Sequence, residues 1–118
     1  MAGNYNCNKK YKTLGSLEQK VMNALWESSG PLNSSQVLAK VNGGHAYTTI
    51  MTVLKRMTDK KLLKRELEGN TYLYRPLYTK AVLAPLILSP LFHQLFESYG
   101  DHVLAVFNQV TKELKILS

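Results

Sequence analysis

Leu17, Val21, Met22, Leu25 and Trp26 recur at steps of three and four, the spacing of one apolar helix face. Ser16-Leu17-Glu18-Gln19 has the capping-box spacing, so a first helix is expected to begin at Ser16, and Gly30-Pro31 after Ser28-Ser29 stops it. Asn33 or Ser34 then caps a short second helix with Val37, Leu38 and Val41 facing inward, closed by Asn42-Gly43-Gly44. In a third helix, from Tyr47 to about Lys60, Ile50, Val53, Leu54 and Met57 fall at i, i+3, i+4 and i+7. That stripe leaves Thr48, Thr52, Lys55 and Asp59 on the opposite face, flanked by Thr49 and Arg56.

After Lys60 the period drops to two. Leu63, Arg65 and Leu67 alternate with Lys64, Glu66 and Glu68; Gly69-Asn70 turns the chain, and Tyr72, Tyr74 and Pro76 alternate with Thr71, Leu73 and Arg75 on the return. Three helices followed by a hairpin predict a winged helix-turn-helix over residues 13–78, mostly α with a small antiparallel β-hairpin. Beyond Tyr78 the pattern is helical again. Pro85 is expected to end or kink a first piece, and Ser89-Pro90 to start a helix through Leu91, Phe92, Leu95, Phe96 and Tyr99. Gly100 ends that helix and Asp101 caps the last one, in which Val103, Phe107, Val110, Leu114 and Leu117 follow alternating steps of four and three. A tail so apolar has too little basic domain to cover it, so residues 79–118 read as a helical dimerisation region built on Leu91, Leu95, Phe96, Val103, Phe107, Val110, Leu114 and Leu117.

Composition narrows the class. At 118 residues, 45% hydrophobic and 19% charged, with 7 Gly and 4 Pro, the chain is an ordinary globular one of about single-domain size. The net charge of +7 points to a polyanionic partner. Residues 1–80 hold thirteen Lys and Arg against five Asp and Glu, and residues 81–118 two against three. The basic and the apolar parts of the chain are therefore separate. Residues 1–12, rich in Asn and Lys, read as a flexible tail. Cys7 is the lone cysteine, and no secretory signal is apparent, which suits a reducing cytoplasm. The apolar run Ala81–Phe92 carries two prolines and is short against a bilayer core of about 30 Å, so no stable membrane association is expected.

The second helix of a helix-turn-helix fits a major groove about 12 Å wide. Thr48, Thr49 and Thr52 offer methyls to thymine and hydroxyls to bases or phosphates, while Lys55 and Arg56 offer charge. The same residues also describe the solvated face of any amphipathic helix. His45, His93 and His102 are dispersed, no thiol pair exists, and no nucleophile–base constellation or phosphate loop stands out. Neither a metal, a cofactor nor an enzymatic activity is expected.

Leu14-Gly15-Ser16-Leu17-Glu18 with Val21-Met22-Asn23-Ala24-Leu25-Trp26, then Tyr47-Thr48-Thr49-Ile50-Met51-Thr52-Val53-Leu54-Lys55-Arg56-Met57, then Arg75-Pro76, resembles the BlaI/MecI penicillinase repressor family. The resemblance is close over residues 13–78 and holds in outline beyond them. It implies a homodimeric repressor on an inverted-repeat operator in double-stranded DNA, with Thr48, Thr49, Thr52, Lys55 and Arg56 in the major groove. Tyr47, which opens the same helix, and the hairpin cations Lys64 and Arg75 join them as candidate DNA contacts, and Arg65 is an alternative on the same hairpin. Three departures bear on mechanism. Gly69-Asn70 stands where family members commonly have Gly-Arg at the wing tip. Val106-Phe107 replaces the Asn-Phe bond at which the antibiotic-responsive members are cut, which leaves a regulatory protease unproven as a partner. No cysteine follows Cys7, unlike the C-terminal Cys-x-Cys motif of copper-responsive relatives. Two other readings remain open: a winged-helix protein-interaction module, and a small-molecule-gated regulator with a cavity lined by Met51, Leu83, Ile87 and Phe92.

Overall fold

The structure is a computed structural model in which residues 12–41 and 43–117 are described, 116 and 117 by backbone alone. The polar tail before Lys12, Cys7 within it and Asn42 of the expected second turn lie outside the described residues. The elements run α1 (Ser16–Glu27), α2 (Ser34–Lys40), α3 (Tyr47–Asp59), β1 (Leu63–Glu68), β2 (Thr71–Pro76), α4 (Lys80–Tyr99) and α5 (His102–Leu117). The fold is a winged helix-turn-helix followed by two helices. Two compact units divide within α4: Thr13–Ala84, and a second that includes Pro85–Ser118.

In the first unit each helix buries one stripe. Val21, Met22 and Leu25 of α1, Val37 of α2 and the whole α3 stripe of Ile50, Val53, Leu54 and Met57 meet Leu63 and Tyr74 from the hairpin. Leu83 is fully buried as well, which draws the first turn of α4 into this unit. Leu32 joins the sheet edge. It exchanges two backbone bonds with Tyr74, at 3.0 and 2.8 Å, and so ties the α1–α2 connection to β2.

Helix α1 starts at Ser16 as expected, but its cap differs from the expected one. Its N-cap is Gly15, with Ser16 as the first helical residue, and Glu18 at the third position accepts the Gly15 N–H at 3.1 Å. Glycine has no side chain to return that bond, so only half of a capping box forms. The Ser16–Gln19 pairing therefore does not exist, and Gln19 instead donates to Asn23 Oδ1 at 3.0 Å. At α2 the box is complete: Asn33 Oδ1 accepts from Gln36 N, and Gln36 Oε1 accepts from Asn33 N, both at 2.9 Å.

Glu18 also reaches Lys60 just beyond α3, at 3.1 Å. Burial raises the pKa of this carboxyl, but the Gly15 N–H, the Lys60 bond and the positive field of Lys60 and Arg56 outweigh it, leaving the group below the usual carboxylate range. A lowered folded-state pKa gives stability that is full above the ordinary carboxylate value and drains away as pH falls through the folded value. Glu18→Gln, which keeps an acceptor for Gly15, should cost about 1 kcal/mol or less at neutral pH. It should also flatten the acid limb of a melting-temperature profile; an identical profile would refute the assignment.

The exit from α3 is a Schellman motif. Lys61 N–H bonds to the Thr58 carbonyl and Leu62 N–H to that of Met57, both at 3.0 Å, with Lys61 at φ 66°. A lysine in this left-handed region costs about 1 kcal/mol, set against burial of Leu62 and the fixed direction in which β1 leaves. The hairpin pairs Leu63 with Pro76 through Glu68 with Thr71. Of its two central residues only Gly69 has positive φ, 64°, which suits a type II′ turn.

The helix α4 is continuous from Lys80 to Tyr99 with Pro85 and Pro90 inside it, so Ser89-Pro90 does not begin a new helix. A proline removes one backbone donor but keeps a helical φ, and the Leu, Ala and Phe around it continue the turn. The start is fixed locally: Thr79 Oγ1 accepts Val82 N–H at 3.3 Å, and Trp26 Nε1 donates to the Tyr78 carbonyl at 3.0 Å. Its 20 residues and mean hydropathy of 1.2 make α4 long and apolar enough to cross a membrane by length and composition. The apolar run Ala81–Phe92 lies inside this longer helix because the helix does not break at the prolines.

Candidate nucleic-acid interface

Helix α3 sorts its residues by period. The buried stripe faces the core, and Tyr47, Thr48, Thr49, Met51, Thr52, Lys55 and Arg56 are all exposed. Thr52 Oγ1 donates to the Thr48 carbonyl at 2.9 Å, so its hydroxyl proton is spent within the helix. What Thr52 presents outward is a methyl and an acceptor. Lys55 pairs with Asp59 at 3.2 Å, both well exposed. Such a pair is worth about 0–1 kcal/mol and yields readily to a stronger anion. Arg56 has no carboxylate within 4 Å among the described residues, though its field reaches Glu18.

The hairpin separates its cations. Lys64, Glu66 and Arg75 share one face, where Arg75 Nη2 lies 3.0 Å from Glu66 Oε1 and Lys64 Nζ 3.8 Å from Glu66 Oε2. Arg65 is on the other face, with its guanidinium 4.1 Å from the centroid of the Tyr72 ring. Tyr72 in turn lines a cleft of about 250 Å³ with Tyr47 and Met51 of α3, Asn70, Thr71 and Tyr74 of the hairpin, and Asn33, Ser34 and Ser35. The Arg65–Tyr72 stack and the exposed Met51 are not among the residues that periodicity selects. The stack is within reach of the register: a two-residue turn at 69–70 pairs Leu67 with Tyr72 and Arg65 with Tyr74, which makes Arg65 and Tyr72 diagonal neighbours.

The C-terminal unit carries an apolar hollow of about 400 Å³ lined by Phe92, Leu95, Tyr99, His102, Val103, Val106, Phe107 and Val110. Of the eight residues expected in the seam, Leu91, Leu95 and Val103 are half-buried and Phe96, Phe107, Val110 and Leu114 are exposed; the side chain of Leu117 lies outside the described residues. Tyr99, Leu104 and Val106 extend the exposed apolar set beyond the heptad stripe. The four residues expected to line a cavity, Met51, Leu83, Ile87 and Phe92, fall in different settings. Met51 lines the cleft beside the hairpin, Leu83 is packed in the core of its unit, and Phe92 alone of the four lines the C-terminal hollow. Helical phase explains the difference: Met51 follows Ile50 by one residue and points away from the α3 stripe.

Known proteins resemble this chain in sequence and in fold. The penicillinase repressor family matches residues 14–116. The transcriptional regulator BlaI of two Mycobacterium tuberculosis strains is 35% identical over 71 residues, which is 58% of this chain and 51% of the relative. The chain thus spans about half the length of the curated relatives it matches. Among solved structures, a transcriptional regulator of Thermotoga maritima superposes with a TM-score of 0.50 over 87% of this chain and 74% of its own, at 14% identity, and shares the fold.

Proposed function

The chain belongs to the penicillinase repressor family, and from that premise we propose that it is a transcriptional repressor that binds an inverted-repeat operator in double-stranded DNA as a homodimer. The observation that carries this reading is the α3 surface: a row of threonines beside Arg56, exposed opposite a stripe that is buried. In this reading residues 13–78 bind DNA and residues 79–118 join two copies. Thr48, Thr49 and Thr52 meet base edges in the major groove, Thr52 with its methyl toward thymine. Tyr47, Lys55 and Arg56 flank them toward phosphate or guanine. Lys64 and Arg75 add charge that they share with Glu66. The protein acts in the cytoplasm without stable membrane association and is not an enzyme. With Val106-Phe107 in place of Asn-Phe, the cleavage switch of the antibiotic-responsive members does not carry over to this chain by resemblance.

Selection of bound duplexes from a random DNA pool tests the reading in one step. A pseudo-palindrome with half-sites about 10 base pairs or a multiple apart is expected, because two recognition helices related by a two-fold axis meet successive turns. A pool that yields no preferred sequence at any salt concentration would overturn specific repression and favour the protein-interaction module.

A further inference from the structure

The hairpin carries three cations, and the structure gives them different surroundings. On one face Glu66 holds Arg75 and Lys64, and Glu68 shares that face, so two carboxylates offset the two cations and little net charge is left to offer. On the other, Arg65 shares its surface with Leu67, Tyr72 and the buried Leu63 and Tyr74, and no Asp or Glu of the hairpin lies there. Its guanidinium stacks on Tyr72, a ring that lines the cleft beside α3. Stacking engages the flat face of a guanidinium and leaves the N–H donors around its edge free, the geometry that grips a phosphate through two parallel bonds. The ring also holds the side chain in place, so less rotamer freedom is lost on binding.

Resting on the DNA-binding reading above, we propose that Arg65, seated on Tyr72, is the hairpin's contact to DNA and clamps the sugar-phosphate backbone that passes through the cleft between the hairpin and α3. The cleft itself is lined by neutral donors suited to phosphate oxygens, among them Tyr47, Asn70 and Thr71. This assigns to Arg65 the wing contact that Asn70 at the turn lacks the charge to make, and it ranks Arg65 above Lys64 and Arg75.

The test is fluorescence anisotropy of the full chain on a labelled mixed-sequence duplex across a salt series. Arg65→Ala should lower the slope of log affinity against log salt by about one unit and weaken binding several-fold, with an unchanged melting temperature because the side chain is exposed. Arg65→Lys should keep the slope yet bind more weakly, since a lysine neither stacks as well nor forks. Tyr72→Leu should do the same by removing the seat and leaving the charge. Lys64→Ala and Arg75→Ala should each move the slope less than half as far as Arg65→Ala. If Arg65→Ala keeps wild-type affinity and slope while Arg56→Ala weakens binding, the clamp is wrong and the repressor reading stands. If the unaltered chain binds no duplex at all, both fall together.

Discussion

The Thr48→Glu chain should bind its selected operator about a hundredfold more weakly, or worse, while melting no lower than the unaltered protein. Thr48 is the second residue of α3, whose N-cap, Ala46, makes no side-chain bond and whose first turn holds no acidic residue. A glutamate there meets the positive end of the helix and should stabilise it by about 0.3–1 kcal/mol. The same charge in a major groove meets phosphates on both sides and removes a methyl and a hydroxyl from a base edge. Removing one good base contact costs about 1–3 kcal/mol, and about 2.7 kcal/mol is a hundredfold in affinity. Because folding and binding are pushed in opposite directions, the result cannot be confused with unfolding. Anisotropy on the operator with a parallel thermal melt measures both, and wild-type affinity in this variant would take α3 out of the groove.

Those residues are legible in the sequence because one period governs them. Ile50, Val53, Leu54 and Met57 must face a core, and a helix that buries four positions in phase exposes Thr48, Thr52 and Lys55 without further information. The hairpin is legible for a similar reason, a period of two on either side of Gly69-Asn70. The features that the sequence hides share a different cause. At α1 a glycine cap leaves no side-chain signature, so the hydroxyl of Ser16 suggests a cap one residue past the one that forms. At α4 two prolines carry a local stop signal that the apolar residues around them override. The ion pairs of Glu66 and the Lys55–Asp59 pair depend on side-chain rotamers and on cross-strand register, which residue type alone does not specify. They matter to the proposed function because they decide which cations would be free to meet DNA.

The second large effect is expected at the other end of the chain. Phe107 and Leu114 are 55% and 61% exposed in a single copy, and Phe96, Tyr99, Leu104, Val106 and Val110 lie open on the same two helices. An isolated soluble chain seldom leaves so much apolar surface uncovered. Burying a Phe or Leu side chain against a second copy is worth about 1.5–3 kcal/mol, and in a two-fold interface each position counts twice. Phe107→Glu combined with Leu114→Glu therefore strips two apolar side chains per copy from the seam and sets like charges against each other, while the buried core of the single copy keeps its packing. Sedimentation equilibrium should report a monomer for this variant and a dimer for the unaltered chain. Operator affinity should then fall by about 10²–10⁴, the gain that linkage of two half-sites supplies, while binding to a lone half-site stays as it was, because α3 and the hairpin are untouched. That separation distinguishes an assembling seam from a second DNA surface: a doubly charged variant that still sediments as a dimer would place the interface between copies on other residues, and one that also failed to bind a half-site would mean the tail touches DNA itself.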